Sequence, residues 1–199
     1  MNTELYMLPV SLGALAELQE IQEVLFSDVK ACTETLSMQS SAFGRSAYVR
    51  AMFAYVEGTI FSLKQVALID ADEAGINLTR AELSFLLEES YQLTDTGKAE
   101  ARHNYGVRLA PNIRFVFNLV ARIYNLAYEL KVNDSGWSSF REALEIRNRL
   151  THPKTAADTV VSHNDFLLAS QAFIWFQRNY TVLILSIIER LRSKICEAD

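Results

Sequence analysis

The stretch FGRSAYVRAMFAYVEGTIFSLKQVALI, residues 43–69, decides the fold class. Its apolar residues recur every three or four positions and nearly encircle the helix that they predict. Such a helix is expected at the centre of a bundle, because other helices must cover all of its sides. The polar exceptions Arg50, Glu57 and Lys64 are seven positions apart, which predicts one narrow stripe along this helix.

The segments on either side of this stretch also have helical spacing. Leucine, isoleucine and valine residues over about 11–35 fall on one face of a helix. Thr79 and Glu82 have the spacing of a capping box, in which each side chain accepts a hydrogen bond from a free backbone N–H. This box predicts a short helix that runs to about Glu89.

Two helices are predicted in the second half of the chain before the last one. Pro111 suits the first turn of a helix, where its missing N–H costs nothing, and the apolar spacing after it predicts a helix over about 112–131. Ser139 and Glu142 form a second potential capping box, which predicts the start of the next helix. That helix must end just before Pro153, because proline disfavours helical geometry in the residue that precedes it.

The last helix is predicted over about 162–194, with a serine at its N-cap. Residues 91–103 lose helical periodicity around Gly97, which predicts either a small hairpin or an ordered loop. We therefore expect an all-α fold with a single domain over residues 1–199. The expected architecture is a bundle of mainly four long antiparallel helices, with a short extra helix and the hairpin or loop insertion.

Composition limits the kinds of partner that the protein can bind. The 199 residues are 50% hydrophobic and 22% charged, which is typical of one globular domain. The formal net charge of −5 argues against electrostatic binding of nucleic acid over a broad surface, because such binding relies on clustered Lys and Arg. Any contact with RNA is therefore expected to be local.

Several features predict the compartment. Cys32 and Cys196 are far apart and match no metal-ligand or redox spacing, so they are interpreted as ordinary thiols in a reducing compartment. The first residues lack the basic flank and apolar stretch of a signal peptide. Polar residues interrupt the apolar segment 172–191, which is too short an apolar run to span a membrane. We expect a cytoplasmic protein with no membrane span, no metal and no other cofactor.

The segment Arg147-Asn148-Arg149-Leu150-Thr151-His152 is the part of the chain that indicates chemistry. Cleaving RNA without a metal requires proton transfer from the ribose 2′-hydroxyl, proton transfer to the leaving oxygen, and positive charge beside the phosphate. His152 suits proton transfer because an ordinary histidine titrates near neutral pH. Arg147 can bind two phosphate oxygens at once, and Asn148 can orient either partner or the substrate.

The spacing constrains how these residues can meet. In a continuous helix, residues five apart differ by about 140° around the axis and about 7.5 Å along it, so Arg147 and His152 would not share a face. By ending the helix, Pro153 lets the His152 side chain turn back toward the last carbonyls and toward Arg147. One histidine cannot easily act as base and acid in one step, so a two-fold dimer that apposes two copies of the segment is predicted.

A purely structural interpretation of the same segment is also open. Cationic side chains at the C-terminal end of a helix are favoured by the helix macrodipole. Arg147, Arg149 and His152 would then only cap carbonyl groups.

In its context, the segment resembles the Arg-Asn-x-x-x-His form of the signature of the HEPN superfamily. The resemblance implies a bundle of mainly four long helices, with the Arg and His near the junction of the last two. It also implies a metal-independent endoribonuclease that acts as a homodimer, of the kind found among toxins and phage-defence effectors. By this resemblance Arg147 and His152 are catalytic, and Asn148 binds or orients the substrate. An antitoxin or another regulatory protein is an expected partner.

Other residues are assigned from their position near the segment. Arg149 and Lys154 belong with Arg141 to a local basic patch that could hold one or two phosphates. Glu57, on the polar stripe, could enter the cleft and orient an Arg or a His. Some HEPN toxins have a Tyr two residues after the His, which their antitoxins modify, and Lys154 stands at that position here.

Alternatives remain from the sequence. Some members of the superfamily are inactive, so the chain could be a non-catalytic dimerisation or binding module for a partner protein or a nucleotide. A regulatory helical domain unrelated to HEPN is a third possibility, which would follow if Arg147 and His152 point away from each other and from any symmetric interface. His103 and His163 have no metal-ligand spacing with His152. Phe173, Trp175 and Phe176 lie in an apolar helix and are expected in the core or in a dimer interface rather than stacked on bases.

Overall fold

A computed structural model describes residues 8–103 and 108–198. The described residues form six α-helices and one β-hairpin, so the predicted all-α class is confirmed at that level. In chain order the elements are α1 (Leu8–Met38), α2 (Ala42–Glu73), α3 (Arg80–Leu86), β1 (Glu89–Leu93), β2 (Ala99–His103), α4 (Leu109–Ile123), α5 (Ser135–Thr151) and α6 (His163–Ala198). A short 3₁₀ turn, Ala156–Thr159, lies between α5 and α6.

The helix α2 is the centre of the fold, as its apolar sequence predicts. It contacts α1, α3, α4, α5 and α6. Many of its side chains are buried, among them Val49, Met52, Val56 and Leu63, each with no exposed surface. Burying an aliphatic side chain of this kind stabilises the fold by roughly 1.5–3 kcal/mol. The core therefore forms around α2.

By length and composition alone, α2 is also a candidate membrane span, over Ala42–Asp72. Of its most apolar window, 61% is buried inside the fold. Such a mostly buried helix is typical of the core of a soluble protein. The cytoplasmic location stays a prediction.

The three polar residues of the α2 stripe differ in their exposure to solvent. Arg50 is exposed, and the Glu57 side chain is 41% exposed, but Lys64 is completely buried. The Lys64 ammonium donates a hydrogen bond to Glu88 Oε1 over 2.7 Å. This partner compensates the buried charge, since a lysine loses its hydration when it enters a core.

The helix α4 ends at Ile123, eight residues before the predicted end at about 131. Asn125 adopts φ +52°, and its N–H donates to Arg122 O while the N–H of Leu126 donates to Ala121 O. These two bonds are those of a Schellman motif with Asn at the left-handed position, which satisfies the free carbonyls at the helix end. The apolar residues that continued the helical spacing lie beyond this cap.

The helix α5 begins at Ser135, four residues before the predicted start at Ser139. The N-cap is Asp134, whose carboxylate accepts from Trp137 N over 2.9 Å. Ser139 is buried inside the helix and donates to Gln171 Oε1 of α6. At Gly136, a Cβ would lie 2.5 Å from Trp175 Cδ1, so the glycine lets α5 approach α6.

The chain's two tryptophans meet at this contact. Trp137 and Trp175 have ring centroids 5.0 Å apart, and Trp137 also stacks on Phe140. Trp175 and Phe176 are buried, which confirms that the aromatic cluster of α6 belongs to the core.

The insertion around residues 91–103 is a hairpin, the first of the two predicted alternatives. Strands β1 and β2 pair antiparallel, with Glu89 opposite His103 and Leu93 opposite Ala99. Gly97 has φ +77° in the turn, a conformation that residues with a Cβ rarely adopt. The hairpin joins α3 to the segment before α4.

Other boundaries agree with the sequence. The capping box of Thr79 and Glu82 is present at the start of α3. Ser162 accepts from the N–H of Asp165 at the start of α6, and α5 ends at Thr151 as Pro153 requires. Three helices exceed 30 residues, and α4 and α5 have 15 and 17. The grouping into four long antiparallel helices of HEPN type stays a prediction.

Candidate functional site

Arg147 is held between α5 and α2. Its Nη2 donates to Glu57 Oε1, and its Nη1 donates to Asn148 Oδ1 over 3.3 Å. The Arg147 side chain is 29% exposed, so the ion pair is open to solvent on one side. The structure thus brings together three of the predicted site residues, Glu57, Arg147 and Asn148.

His152 lies at the end of α5, outside this group. Its backbone leaves the helical conformation at φ −127° and ψ 62°, while its N–H still donates to Asn148 O over 2.9 Å. The side chain is exposed and makes no hydrogen bond or ion pair with any residue in the described part of the chain. The expected return of this side chain to the last carbonyls and to Arg147 is therefore not observed.

Arg149 holds the connection between α5 and α6. Its Nη1 donates to the backbone carbonyls of Asp158 and Val160 over 3.0 and 2.6 Å, and its Nη2 donates to Asp165 Oδ2 over 2.7 Å. Since the guanidinium already has three partners, these contacts give it a structural role beside His152. Lys154 is exposed, and its backbone N–H donates to Asp158 Oδ2.

Two carboxylates order the same connection. Burial alone would raise the pKa of Asp165, but hydrogen bonds from the N–H and hydroxyl of Ser162 and the charge of Arg149 outweigh it, so the pKa is lowered. The pKa of Asp158 is lowered by the backbone N–H groups of Thr155 and Lys154 and by the Thr155 hydroxyl. Both carboxylates are therefore ionised at neutral pH, and they fix the chain that follows His152.

A cavity of about 1030 Å³ lies between α2, α5 and the start of α4. Glu57, Arg147 and Asn148 line it, whereas His152, Arg149 and Lys154 do not. The further charged residues of its wall are Arg108, Arg114, Arg141, Glu88 and Glu145. The predicted basic patch is thus divided, because Arg141 and Arg147 face this cavity and Arg149 and Lys154 face the α5–α6 connection.

The charges of the cavity wall are unevenly paired. Glu57 binds Arg147, and Glu88 binds the buried Lys64. In contrast, the side chains of Arg108, Arg114 and Arg141 make no hydrogen bond or ion pair with any described residue. Glu145 has no such partner either, so the wall carries four arginines against three glutamates, a small positive excess in a chain whose net charge is −5.

Sequence reasoning missed Arg108 and Arg114. Arg108 is the N-cap of α4 and makes no side-chain capping bond, and the first turn of α4 contains no acidic residue. The N-terminal end of a helix carries partial positive charge and favours acidic side chains. Arginines flanking a helix start without an acidic neighbour are therefore a signal that could have identified them.

No three His, Cys, Asp or Glu side chains within residues 8–103 and 108–198 form a cluster that could hold a metal ion. His163 is exposed at the start of α6, and Cys196 is an exposed free thiol. Metal independence stays a prediction, which a chelator can test directly.

Comparisons with protein-family models, with curated proteins and with solved structures found no match.

Proposed function

We propose that the protein is a metal-independent endoribonuclease of HEPN type that acts as a homodimer, with Arg147 and His152 as its catalytic residues. The observation that carries this proposal is the contrast between the two side chains. Arg147 is fixed by Glu57 at the edge of an open cavity, while the exposed His152 keeps its imidazole unoccupied. A fixed cation and an available imidazole are what this reaction needs.

In this reaction, a histidine accepts the proton of a ribose 2′-hydroxyl, and the 2′-oxygen attacks the adjacent phosphorus. The bond from phosphorus to the 5′-oxygen breaks, and that oxygen takes a proton from a general acid. The products are a 2′,3′-cyclic phosphate and a free 5′-hydroxyl. Arg147 stabilises the negative charge that accumulates on the phosphate oxygens.

A second copy of the chain supports this chemistry in two ways. Each chain supplies one histidine in the segment, whereas the reaction needs both a base and an acid. The exposed apolar residues of α6 offer a surface for the contact, since they fall within about 80° of one side of the helix. These residues are Leu167, Ile174, Val182 and Leu185, which are 45–66% exposed.

The test is incubation of purified protein with a mixed, labelled RNA pool in EDTA. We expect fragments that end in 2′,3′-cyclic phosphate, and we expect His152→Ala to produce none. His163→Ala is the matched control, because His163 is also exposed and lies near the same connection. Cleavage that persists in folded His152→Ala, or that needs a divalent metal, would contradict the proposal.

A second candidate function is a non-catalytic module that binds a partner protein or a nucleotide. It is favoured by the position of His152 outside the cavity that Arg147 lines. Expression in a bacterial host distinguishes the two candidates. A toxic ribonuclease slows growth and His152→Ala relieves the effect, whereas a binding module is tolerated with either residue.

A further inference from the structure

We propose that the cavity between α2, α4 and α5 binds a single-stranded RNA segment, with Arg108, Arg114 and Arg141 contacting its phosphates. This inference rests on the proposed function, because it names where the substrate strand lies next to Arg147. It assigns a role to residues outside the Arg147–His152 segment, two of them from the start of α4.

Three arginines of the cavity wall lack a carboxylate partner. Arg108, Arg114 and Arg141 are exposed and line one cavity, yet none of them has a carboxylate partner among the described residues. The other cation of the wall, Arg147, is paired with Glu57. Guanidinium groups that are not engaged by a carboxylate are available to phosphate, which they bind through two parallel hydrogen bonds.

The electrostatics of the α4 start also favour an anion. Arg108 is the N-cap of this helix, where the macrodipole repels cations, and Arg114 lies in the second turn. Leu109 and Ala110 of its first turn line the same cavity, so the positive end of the helix faces the ligand. A bound phosphate relieves the repulsion between these groups, which gives anion binding a favourable contribution beyond each single contact.

The size of the cavity favours a strand over a single nucleotide. Arg141 and Arg147 lie about 9 Å apart along α5, so separate phosphates of one strand fit them better than one phosphate does. At about 1030 Å³, the cavity is at the upper limit of pockets for drug-sized ligands. It has room for more than one nucleotide.

The same cavity also contains an exposed aromatic side chain. Phe61 lines it, is 52% exposed, and lies one turn after Glu57 on α2. Proteins that bind single strands combine a basic groove with aromatic rings on which bases stack. An unpaired base can stack on Phe61, whereas the bases of a duplex are already stacked on each other.

The experiment measures binding separately from cleavage. Fluorescence anisotropy of a labelled single-stranded RNA of mixed sequence is recorded with His152→Ala protein over a series of salt concentrations. The test variant adds Arg108→Gln, Arg114→Gln and Arg141→Gln. The matched control adds Arg80→Gln, Arg178→Gln and Arg192→Gln, which remove the same charge from exposed arginines that do not line the cavity.

We expect the cavity variant to lose about tenfold or more in affinity and to lower the salt slope by about 2, since three phosphate contacts on a single strand are removed. The control variant keeps most of the affinity and the slope. In the same His152→Ala background, Phe61→Ala lowers affinity about fivefold or more. An unlabelled mononucleotide is expected to compete only at far higher concentration than the strand.

Equal loss in both triple variants, or unchanged binding by the cavity variant, would overturn the inference. Competition by the mononucleotide at the concentration of the strand would overturn it as well. Different outcomes test the proposed function and this inference. If wild-type protein cuts RNA while the cavity variant binds it normally, only this inference is wrong. If wild-type protein cuts no RNA while the cavity variant alone loses binding, the inference stands and the ribonuclease proposal falls.

Discussion

Arg149 donates a hydrogen bond to the carboxylate of Asp165 over 2.7 Å and thereby joins the last turn of α5 to the first turn of α6. The same guanidinium binds the carbonyls of Asp158 and Val160, so one side chain closes the whole connection that follows His152. The position of His152 thus depends on a charged contact between two helix ends.

The Asp165 contact predicts a pH-dependent stability. The pKa of Asp165 is below its usual value of 3.8, because hydrogen bonds from Ser162 and the charge of Arg149 outweigh the effect of burial. A lowered carboxyl pKa stabilises the folded state above 3.8, and this contribution is lost as the pH falls through the folded-state pKa.

We therefore expect Asp165→Asn to lower the free energy of unfolding at pH 7 by roughly 1 kcal/mol. The variant then unfolds at a lower urea concentration than wild type. The difference should shrink below about pH 3.8. Urea unfolding at several pH values checks this, and Asp134→Asn, at the N-cap of α5, serves as a control that lacks an Arg partner. A gap between Asp165→Asn and wild type that is constant from pH 7 to acid would contradict the role given to the carboxylate.

Breaking the ion pair of Glu57 with Arg147 is expected to change kcat and KM for different physical reasons. Glu57→Gln removes a negative charge from the cavity wall, so RNA binds more tightly and KM falls. The same change frees the Arg147 guanidinium from its fixed position, so kcat is expected to fall by about tenfold or more. Steady-state kinetics on one labelled RNA measures both constants.

Glu145→Gln is the matched control for this experiment. Glu145 lines the same cavity but does not contact Arg147. Its loss should lower KM through charge alone and leave kcat unchanged. Equal kcat values for the Glu57 and Glu145 variants would show that Glu57 does not position Arg147.

The Lys64–Glu88 pair predicts an asymmetry between its two partners. The Lys64 side chain is completely buried, whereas the Glu88 side chain is 47% exposed. Glu88→Gln leaves a buried ammonium without its counter-charge and should cost about 2 kcal/mol or more. Lys64→Met leaves only a carboxylate that water reaches, so the free energy of unfolding should change by less than about 1 kcal/mol. Chemical denaturation of both variants measures these changes. A larger loss of unfolding free energy for Lys64→Met than for Glu88→Gln would contradict the prediction.

The left-handed conformation of Asn125 at the end of α4 can be tested by substitution. Asn125 has a φ of +52°, in the left-handed region. This region costs most residues with a Cβ about 1 kcal/mol, but asparagine tolerates it better. Asn125→Ala should therefore lower the free energy of unfolding by about 1 kcal/mol, while Asn125→Gly should retain or raise it. Thermal unfolding separates the two, and equal midpoints for Ala and Gly would argue against a left-handed cap.

The sequence predicted the fold wherever local signals and packing agree. The apolar spacing of α2 identified the central helix, and Pro153 identified the end of α5. At α4, the apolar spacing continued beyond the true end, because a backbone cap at Asn125 outweighs side-chain periodicity. At α5, the serine chosen as N-cap is buried, because Asp134 had already begun the helix one turn earlier.

The candidate site was predictable only in part, for a geometric reason. Residues of the 147–152 segment and Glu57 could be selected because histidine, arginine and the seven-residue spacing carry local signals. Arg108 and Arg114 carry only the signal of a helix start without an acidic residue, and their place beside Arg141 depends on how α4 packs across α2. The burial of Lys64 could not be predicted either, because its partner Glu88 lies between α3 and β1, 24 residues later.

The contact of Trp137 with Trp175 gives the protein an optical reporter. These are the two tryptophans of the chain, and one of them, Trp137, lines the cavity. Indole emission from the whole protein therefore originates at one place, beside the proposed strand-binding surface. Arrival of a ligand there changes the water around Trp137, so the emission wavelength of the unlabelled protein follows occupancy of the cavity.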